Sequence, residues 1–186
     1  MPLQMCYWTG VRFPPPPLQE ERKLGCDIHM YVERKVGNKW EMIKNQFPDP
    51  YHWDNRYTRF NNITLCQWDD SLNSIRVHGP YVYSNYNFFS ILADVRNEKR
   101  GGEFYREPIS VPKGVPDGVS VGIQAEIDYW VGDGHSHSYF TLAELNSVDW
   151  DKYDYSDVGT FISEVMPVLN TFGDPDEVRI VFWFDN

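Results

Sequence analysis

The chain is 186 residues long, which fits a single domain of ordinary size with a buried core. Its formal net charge of −10 at pH 7 argues against a protein that binds nucleic-acid phosphates, because that binding depends on lysine and arginine. No stretch approaches the ~20 apolar residues of a membrane span, and three widely spaced cysteines without a CxxC pair predict a protein of the reducing cytoplasm.

The first 23 residues differ from the rest of the chain. They contain four consecutive prolines, Pro14 to Pro17, followed by a charged run. Proline neither donates to a sheet nor sits inside a helix, so this segment is predicted to be disordered or PPII-like. Leucine codons can initiate translation, and ordered patterning begins directly afterwards. We therefore interpret residues 1–23 as a disordered leader or a wrongly assigned start, with Leu24 as the natural initiator, and residues 24–186 as one globular domain.

Alternating polar and apolar side chains predict a β-hairpin at the start of this domain. Residues 25–36 alternate as a half-buried strand does, residues 37–38 are a Gly-Asn turn pair, and residues 39–44 continue as a partner strand. Residues 45–82 are rich in Pro, Asn, Asp and aromatic residues and show no sustained period. So long an irregular stretch is typical of a functional loop or a flexible insertion.

Three further segments carry helical signals. Residues 84–97, which Ser84 can cap, and residues 157–170 both place apolar side chains at a spacing of three to four. Thr141 and Glu144 form a capping box, which predicts a short helix beginning there.

Residues 119–131 fit two structures. Their apolar residues alternate as in a strand, yet Ser120 can cap a helix and the composition favours one, so we prefer the helix. Residues 178–184 are apolar on both faces, which predicts a central strand covered on each side. Together these elements predict an α+β fold, a small and mostly antiparallel sheet packed with three to four helices.

Two of the five histidines lie within the glycine- and serine-rich segment 132–138. If its backbone is extended, Asp133, His135 and His137 stand in one row on the same face. One carboxylate and two imidazoles form a ligand set for a divalent metal such as Zn, Mn or Fe. The same groups could equally act as an acid and a base in catalysis. The alternative is a polar surface loop in which the histidines have no role.

A second row of this kind lies in the first predicted strand, where Asp27 and His29 are same-face neighbours about 6–7 Å apart. They can share a metal or pass a proton; alternatively, Asp27 caps a loop and His29 is merely half exposed. Arg96 can clamp a phosphate or carboxylate through two hydrogen bonds; alternatively, it caps backbone carbonyls or pairs with nearby Asp94. Asp185 follows the last strand, where a carboxylate either reaches a cleft or is solvated.

The pairs Asp27-x-His29 and His135-x-His137 resemble the outer motifs of the metallophosphoesterase family. The chain has neither a GNH motif nor a GDxxD motif. The fold of that family is therefore not carried over to this chain.

The combination of Gly25-Cys26-Asp27-Ile28-His29, the Asp133-Gly134-His135-Ser136-His137-Ser138 segment and a Thr-Leu-Ala-Glu-Leu helix resembles a family of uncharacterised phage and prophage proteins. Members of that family open with Met-Gly-Cys-Asp-Ile-His, which aligns their initiator with Leu24. The resemblance covers most of residues 24–186. It implies a viral gene acting in the cytoplasm of a bacterial host, and it implies no activity.

Two functional hypotheses follow. The first is a metal-dependent hydrolase of a small phosphorylated or nucleotide-like substrate. Its metal ligands would be Asp27, His29, His135 and His137. Asp133 would orient a ring or act as a base, and Arg96 would hold the anionic group. The second is a non-catalytic phage protein that binds a host ligand or a host protein, or a component of the virion. Catalysis requires the four metal ligands to converge in one cleft, whereas a binding protein requires no convergence.

Overall fold

An antiparallel sheet organises the structure, a computed structural model that describes residues 25–43, Pro80, residues 84–185 and the backbone of residues 68–69 and 74–75. The sheet has four strands in the order β2-β1-β6-β5. Six strands lie within the described residues: β1 (Ile28–Val36), β2 (Lys39–Met42), β3 (Trp68–Asp69), β4 (Ser74–Ile75), β5 (His135–Thr141) and β6 (Val178–Phe184). Strands β3 and β4 pair with each other in a separate two-stranded sheet. The predicted α+β class is confirmed. Residues 1–23, the proposed start at Leu24 and most of the irregular stretch 45–82 lie outside the described residues.

The two predicted strand regions at the ends of the domain pair with each other. β1 forms the predicted hairpin with β2 through a turn in which Gly37 has a φ of 61°, a conformation that glycine adopts at little cost. β1 also pairs with β6, so that His29 lies opposite Trp183. All seven residues of β6 are buried, which confirms the predicted central strand.

The main core lies on one face of the sheet. It is covered by α1 (Tyr86–Ala93), α3 (Leu142–Ser147) and one longer helical stretch. That stretch consists of α4 (Tyr155–Thr160), a π-helical segment (Phe161–Val165) and α5 (Met166–Leu169). The side chains of β1 and β6 that point to this face are Ile28, Met30, Val32, Val178, Ile180, Phe182 and Phe184.

A second, smaller core covers the opposite face. Helix α2 (Val121–Tyr129) confirms the preferred interpretation of residues 119–131 and buries Ile123 and Ile127 there. These two side chains pack with Tyr31, Val181 and Trp183 of the sheet. Among the described residues no helix has the length and apolar character needed to cross a membrane.

A buried ion pair lies in the second face at the far end of β1. Glu33 is fully buried and accepts a hydrogen bond of 2.6 Å from Arg179 Nε, its cross-strand neighbour on β6. The second carboxylate oxygen accepts from the Ser120 backbone amide at 2.8 Å. The Arg179 guanidinium lies 3.9 Å from the centre of the Trp40 ring. The pair therefore connects β1, β6, the β2 edge and the start of α2.

The predicted capping residues of three helices have different outcomes in the structure. Asn85, not Ser84, caps α1, because its side chain accepts a hydrogen bond from the Phe88 amide. This helix ends at Ala93, since Asp94 adopts a left-handed conformation with φ 58°. Ser120 precedes α2 but makes no side-chain cap. The capping box that opens α3 is confirmed, with both of its hydrogen bonds present.

The outer edge of β5 is irregular and is partly covered. Ser136 has a φ of 53°, and the pairing with β6 shifts register between His135 and Ser138, which is the signature of a β-bulge. The segment beside it closes the edge, because the Gly114 amide donates to the His137 carbonyl at 2.8 Å and the Lys113 amide donates to Ser138 Oγ at 3.2 Å.

Candidate functional site

The start of β1 and the end of β6 meet at one end of the sheet. The Asp27 amide donates to Asp185 Oδ1 at 3.0 Å, and the Asp185 amide donates to the Asp27 carbonyl at 3.2 Å. The antiparallel pairing of the two strands causes this meeting, because it sets Ile28 opposite Phe184. Two residues separated by most of the chain are thereby held side by side.

His29 and Asp185 form a hydrogen-bonded pair at this end. His29 Nε2 lies 3.0 Å from Asp185 Oδ2, and each side chain is 18% exposed. Burial raises the pKa of Asp185, but the hydrogen bonds from His29 and from the Asp27 amide outweigh burial and hold it below its usual value. The imidazole is fixed between two indoles, with ring centres 4.2 Å from Trp130 and 5.6 Å from Trp183.

The beginning of α1 completes one wall of this site. Ser84 Oγ donates to Asp27 Oδ1 at 2.5 Å, and the Cys26 amide donates to Tyr86 Oη at 3.2 Å. Asp27 and Ser84 are both exposed. A hydroxyl and a carboxylate are therefore presented to solvent beside the His29–Asp185 pair.

Arg96 brings a positive charge to the same end of the sheet. Its backbone is left-handed, with φ 58°, and its Nη2 donates to the Gly25 carbonyl at 3.4 Å. Burial raises the pKa of the Cys26 thiol, while the hydrogen bond and the charge of Arg96 oppose that increase. Arg96 thus adjoins the site. We call Asp27, His29, Ser84, Arg96 and Asp185 the sheet-end cluster.

The bulge at Ser136 separates the two histidines of β5. His135 lies opposite Phe184, with ring centres 6.1 Å apart, whereas the His137 ring stacks on Trp183 at 5.7 Å. Phe184 belongs to the main core and Trp183 to the second core. The predicted single row is therefore wrong, because one left-handed residue between the histidines breaks the alternation of a regular strand.

The predicted metal ligands do not form one group. Trp183 lies between the His29 ring and the His137 ring and stacks on both. Within the described residues no three His, Cys, Asp or Glu side chains are placed to hold a metal ion together. The donor set of Asp27, His29, His135 and His137 does not fit a four-ligand metal site, and the sheet-end cluster keeps only Asp27 and His29 of it.

Asp133 lies outside the cluster, in the turn that follows α2. It is exposed, and its amide donates to the Trp130 carbonyl at 3.2 Å. The role predicted for it, orienting an imidazole or acting as a base, has no contact to support it in the described structure. Asp185 takes the orienting role instead, towards His29.

Comparisons with known proteins do not show a family. No family model matches the chain, and no solved structure gives a significant match. One curated protein, β-galactoside α-2,6-sialyltransferase 2 from Danio rerio, is 33% identical over 76 residues. This match covers 39% of the chain and only 15% of the length of the fish protein.

Proposed function

We propose that the protein is a hydrolase of a small phosphorylated or nucleotide-like substrate, with His29 as its general acid/base. The observation that carries the proposal is the 3.0 Å pair between His29 Nε2 and Asp185 Oδ2. A carboxylate on one ring nitrogen fixes the orientation of an imidazole and stabilises its protonated form, which is the arrangement of catalytic histidines in hydrolases. The pairing of Nε2 leaves Nδ1 as the nitrogen that serves the substrate.

The chemistry requires one proton to be moved twice. His29 Nδ1 accepts a proton from water as the water oxygen forms a bond to phosphorus, and Asp185 stabilises the resulting imidazolium. As the phosphorus–oxygen bond to the leaving group breaks, the same nitrogen returns the proton to the leaving oxygen. The positive charge of Arg96 favours binding of the phosphoryl group at this end of the sheet. The Asp27 carboxylate, which Ser84 holds in place through its hydroxyl, offers an acceptor for the attacking water.

The proposed mechanism involves no metal, since the four metal ligands predicted from the sequence do not fit one metal site. A divalent ion stays a prediction of the sequence, as do phage origin and action in the cytoplasm of a bacterial host. The hydrolase proposal shares its substrate class with the sequence hypothesis and differs in its catalytic group.

The test compares Asp185→Asn with Asp176→Asn in a screen of phosphomonoesters, phosphodiesters and nucleotides. Asp176 is exposed and lies in the turn before β6, so the same change is made at the opposite end of that strand. We expect Asp185→Asn to lower kcat/KM by about 10²–10⁴-fold, the size of a general acid/base contribution, and Asp176→Asn to leave it unchanged. Equal activity of both variants, or hydrolysis of no substrate by the wild type, refutes the proposal.

A non-catalytic binding protein is the second candidate. It is favoured by the contact between the partly exposed rings of His29 and Trp130, whose centres lie 4.2 Å apart, because a binding surface requires aromatic side chains but no convergence of metal ligands. Its ligand would be a host small molecule or a host protein. Tight binding of a ligand that is recovered unchanged would support this candidate over the hydrolase.

A further inference from the structure

On the face of the sheet that carries the second core, nitrogen atoms of two neighbouring rings have no hydrogen-bond partner among the described residues. Trp183 Nε1 and His137 Nε2 are both buried and unpartnered in the described structure. Trp183 is fully buried, and its ring is nearly parallel to that of His137, with centres 5.7 Å apart. Buried polar atoms are nearly always paired in folded proteins, so two adjacent unpaired ones indicate a ligand or a bound solvent molecule.

The chemistry of these two rings selects the kind of ligand. An indole N–H can only donate, so the partner of Trp183 must carry an acceptor. Burial, together with the nearby His135, lowers the pKa of His137, which keeps this imidazole uncharged at neutral pH. With its proton on Nε2, a neutral His137 donates as Trp183 does, and two uncharged donors do not compensate the burial of an ionised group. An uncharged carbonyl oxygen therefore suits the site better than a phosphate or a carboxylate.

A short turn covers the indole edge. A Cβ atom added to Gly134 would lie 3.2 Å from Trp183 Cδ1 and 3.2 Å from the Trp130 carbonyl. The backbone of this turn therefore lies directly against the ring edge that carries Nε1. Gly132 in the same turn has a φ of 107°, and Val131 is 81% exposed. The exposed side chain of Val131 contributes little apolar packing that would hold this turn in place.

We propose that Trp183 Nε1 and His137 Nε2, beneath the turn of residues 131–134, bind the carbonyl oxygens of a nucleobase. This inference rests on the proposed function, because it names the uncharged part of the substrate. The His29 ring stacks on the opposite side of Trp183 from His137, so the nucleobase site adjoins the acid/base pair. A nucleotide bound in this way directs its phosphate towards the sheet-end cluster.

The test is a titration of ¹⁵N-labelled full-length protein with uridine and with inosine, two nucleosides that carry carbonyl groups and no phosphate. The seven tryptophans give seven indole N–H signals. Trp150 is the internal reference, because its Nε1 already donates to the Leu145 carbonyl at 3.0 Å. We expect the Trp183 signal to move with saturation while the Trp150 signal stays in place.

Two variants test the contacts separately. Trp183→Phe removes the indole donor, and His137→Phe removes the imidazole nitrogen while keeping a ring against Trp183. Each is expected to weaken nucleoside binding about tenfold, the effect of one lost hydrogen bond, and Trp150→Phe is expected to leave binding unchanged. If Trp183→Phe does not fold, the wild-type titration and the His137→Phe variant still test the proposed nucleobase site. A Trp183 signal that does not move at millimolar nucleoside, or unchanged binding by His137→Phe, overturns the inference.

Failure of this inference can be told apart from failure of the hydrolase proposal. Asp185→Asn is expected to lower kcat/KM by about 10²–10⁴-fold and to bind nucleosides as the wild type does. Nucleoside binding without hydrolysis of any phosphoester would overturn the hydrolase and support the nucleobase site. Hydrolysis with an unmoved Trp183 signal would overturn only the nucleobase site.

Discussion

Replacing Glu33 by glutamine should strongly destabilise the protein, because Glu33 is the buried partner of Arg179. Glutamine retains an acceptor for the Ser120 amide, so the change removes mainly the charge that compensates the guanidinium. Arg179 is only 7% exposed and cannot regain water without opening the face of the sheet that α2 covers. Breaking a buried ion pair from one side typically costs about 3–5 kcal/mol. At the lower figure the melting temperature should fall by about 6–12 °C for a chain of this size.

Chemical denaturation of a double-mutant cycle measures the effect. We compare the free energy of unfolding of Glu33→Leu, Arg179→Met and the double variant. The loss in the double variant should be smaller than the sum of the two single-variant losses by about 2 kcal/mol or more, because no unpaired charge stays buried. Glu144→Gln is the matched control, since it neutralises a carboxylate that is 47% exposed and bonded to Lys113 at 2.7 Å. The Glu144→Gln substitution should lower the free energy of unfolding by less than about 1 kcal/mol. Additive single-variant effects would refute the reasoning.

Four further outcomes are expected. Thr141→Ala should lower the free energy of unfolding by about 1 kcal/mol in urea, through loss of the α3 cap; an unchanged midpoint would contradict this. The lowered pKa of His137 means that the imidazole binds a proton more readily in the unfolded chain, so the stabilisation is complete above the ordinary histidine pKa of 6.5 and falls as the pH drops below it. His137→Phe should remove that part of the decline between pH 7 and pH 5, and a parallel decline in the variant would argue against it. The lowered pKa of Asp185 likewise gives stability that is present above the ordinary aspartate pKa of 3.8 and lost as the pH falls further. Asp185→Asn should make the free energy of unfolding depend less steeply on pH in this acid range, whereas an equally steep dependence would show that the pair contributes little. Metal content by mass spectrometry should be the same in the wild type and in a variant lacking the imidazoles of His135 and His137, since their rings contact opposite faces of β6; loss of a bound metal in the variant would restore the metal hypothesis.

Local patterns in the sequence predicted most of the fold. The alternation in residues 25–36 and the apolar character of residues 178–184 predicted two strands that pair in the structure. The capping box at Thr141 predicted the start of α3 because both of its hydrogen bonds are local. In each case the deciding interaction lies within a few residues or follows from burial alone.

Contacts between distant residues could not be predicted in the same way. His29 and Asp185 are 156 positions apart, and only the register of β1 against β6 brings them together. The left-handed conformation of Ser136 depends on the pairing of β5, and it displaces His135 from the row that a regular strand would form. Ser84 was predicted to cap a helix, but its hydroxyl bonds Asp27, which belongs to another element.

The covered edge of β5 restricts how the protein can associate with other chains. A strand at the edge of a sheet offers unpaired backbone groups to which an extended peptide can add. Here the His137 carbonyl is already occupied by the Gly114 amide, and the bulge at Ser136 twists the neighbouring backbone out of register. At the opposite edge, β2 is a strand of four residues whose Lys39 and Glu41 are exposed. Among the described residues, a partner that extends the sheet is therefore disfavoured at both edges.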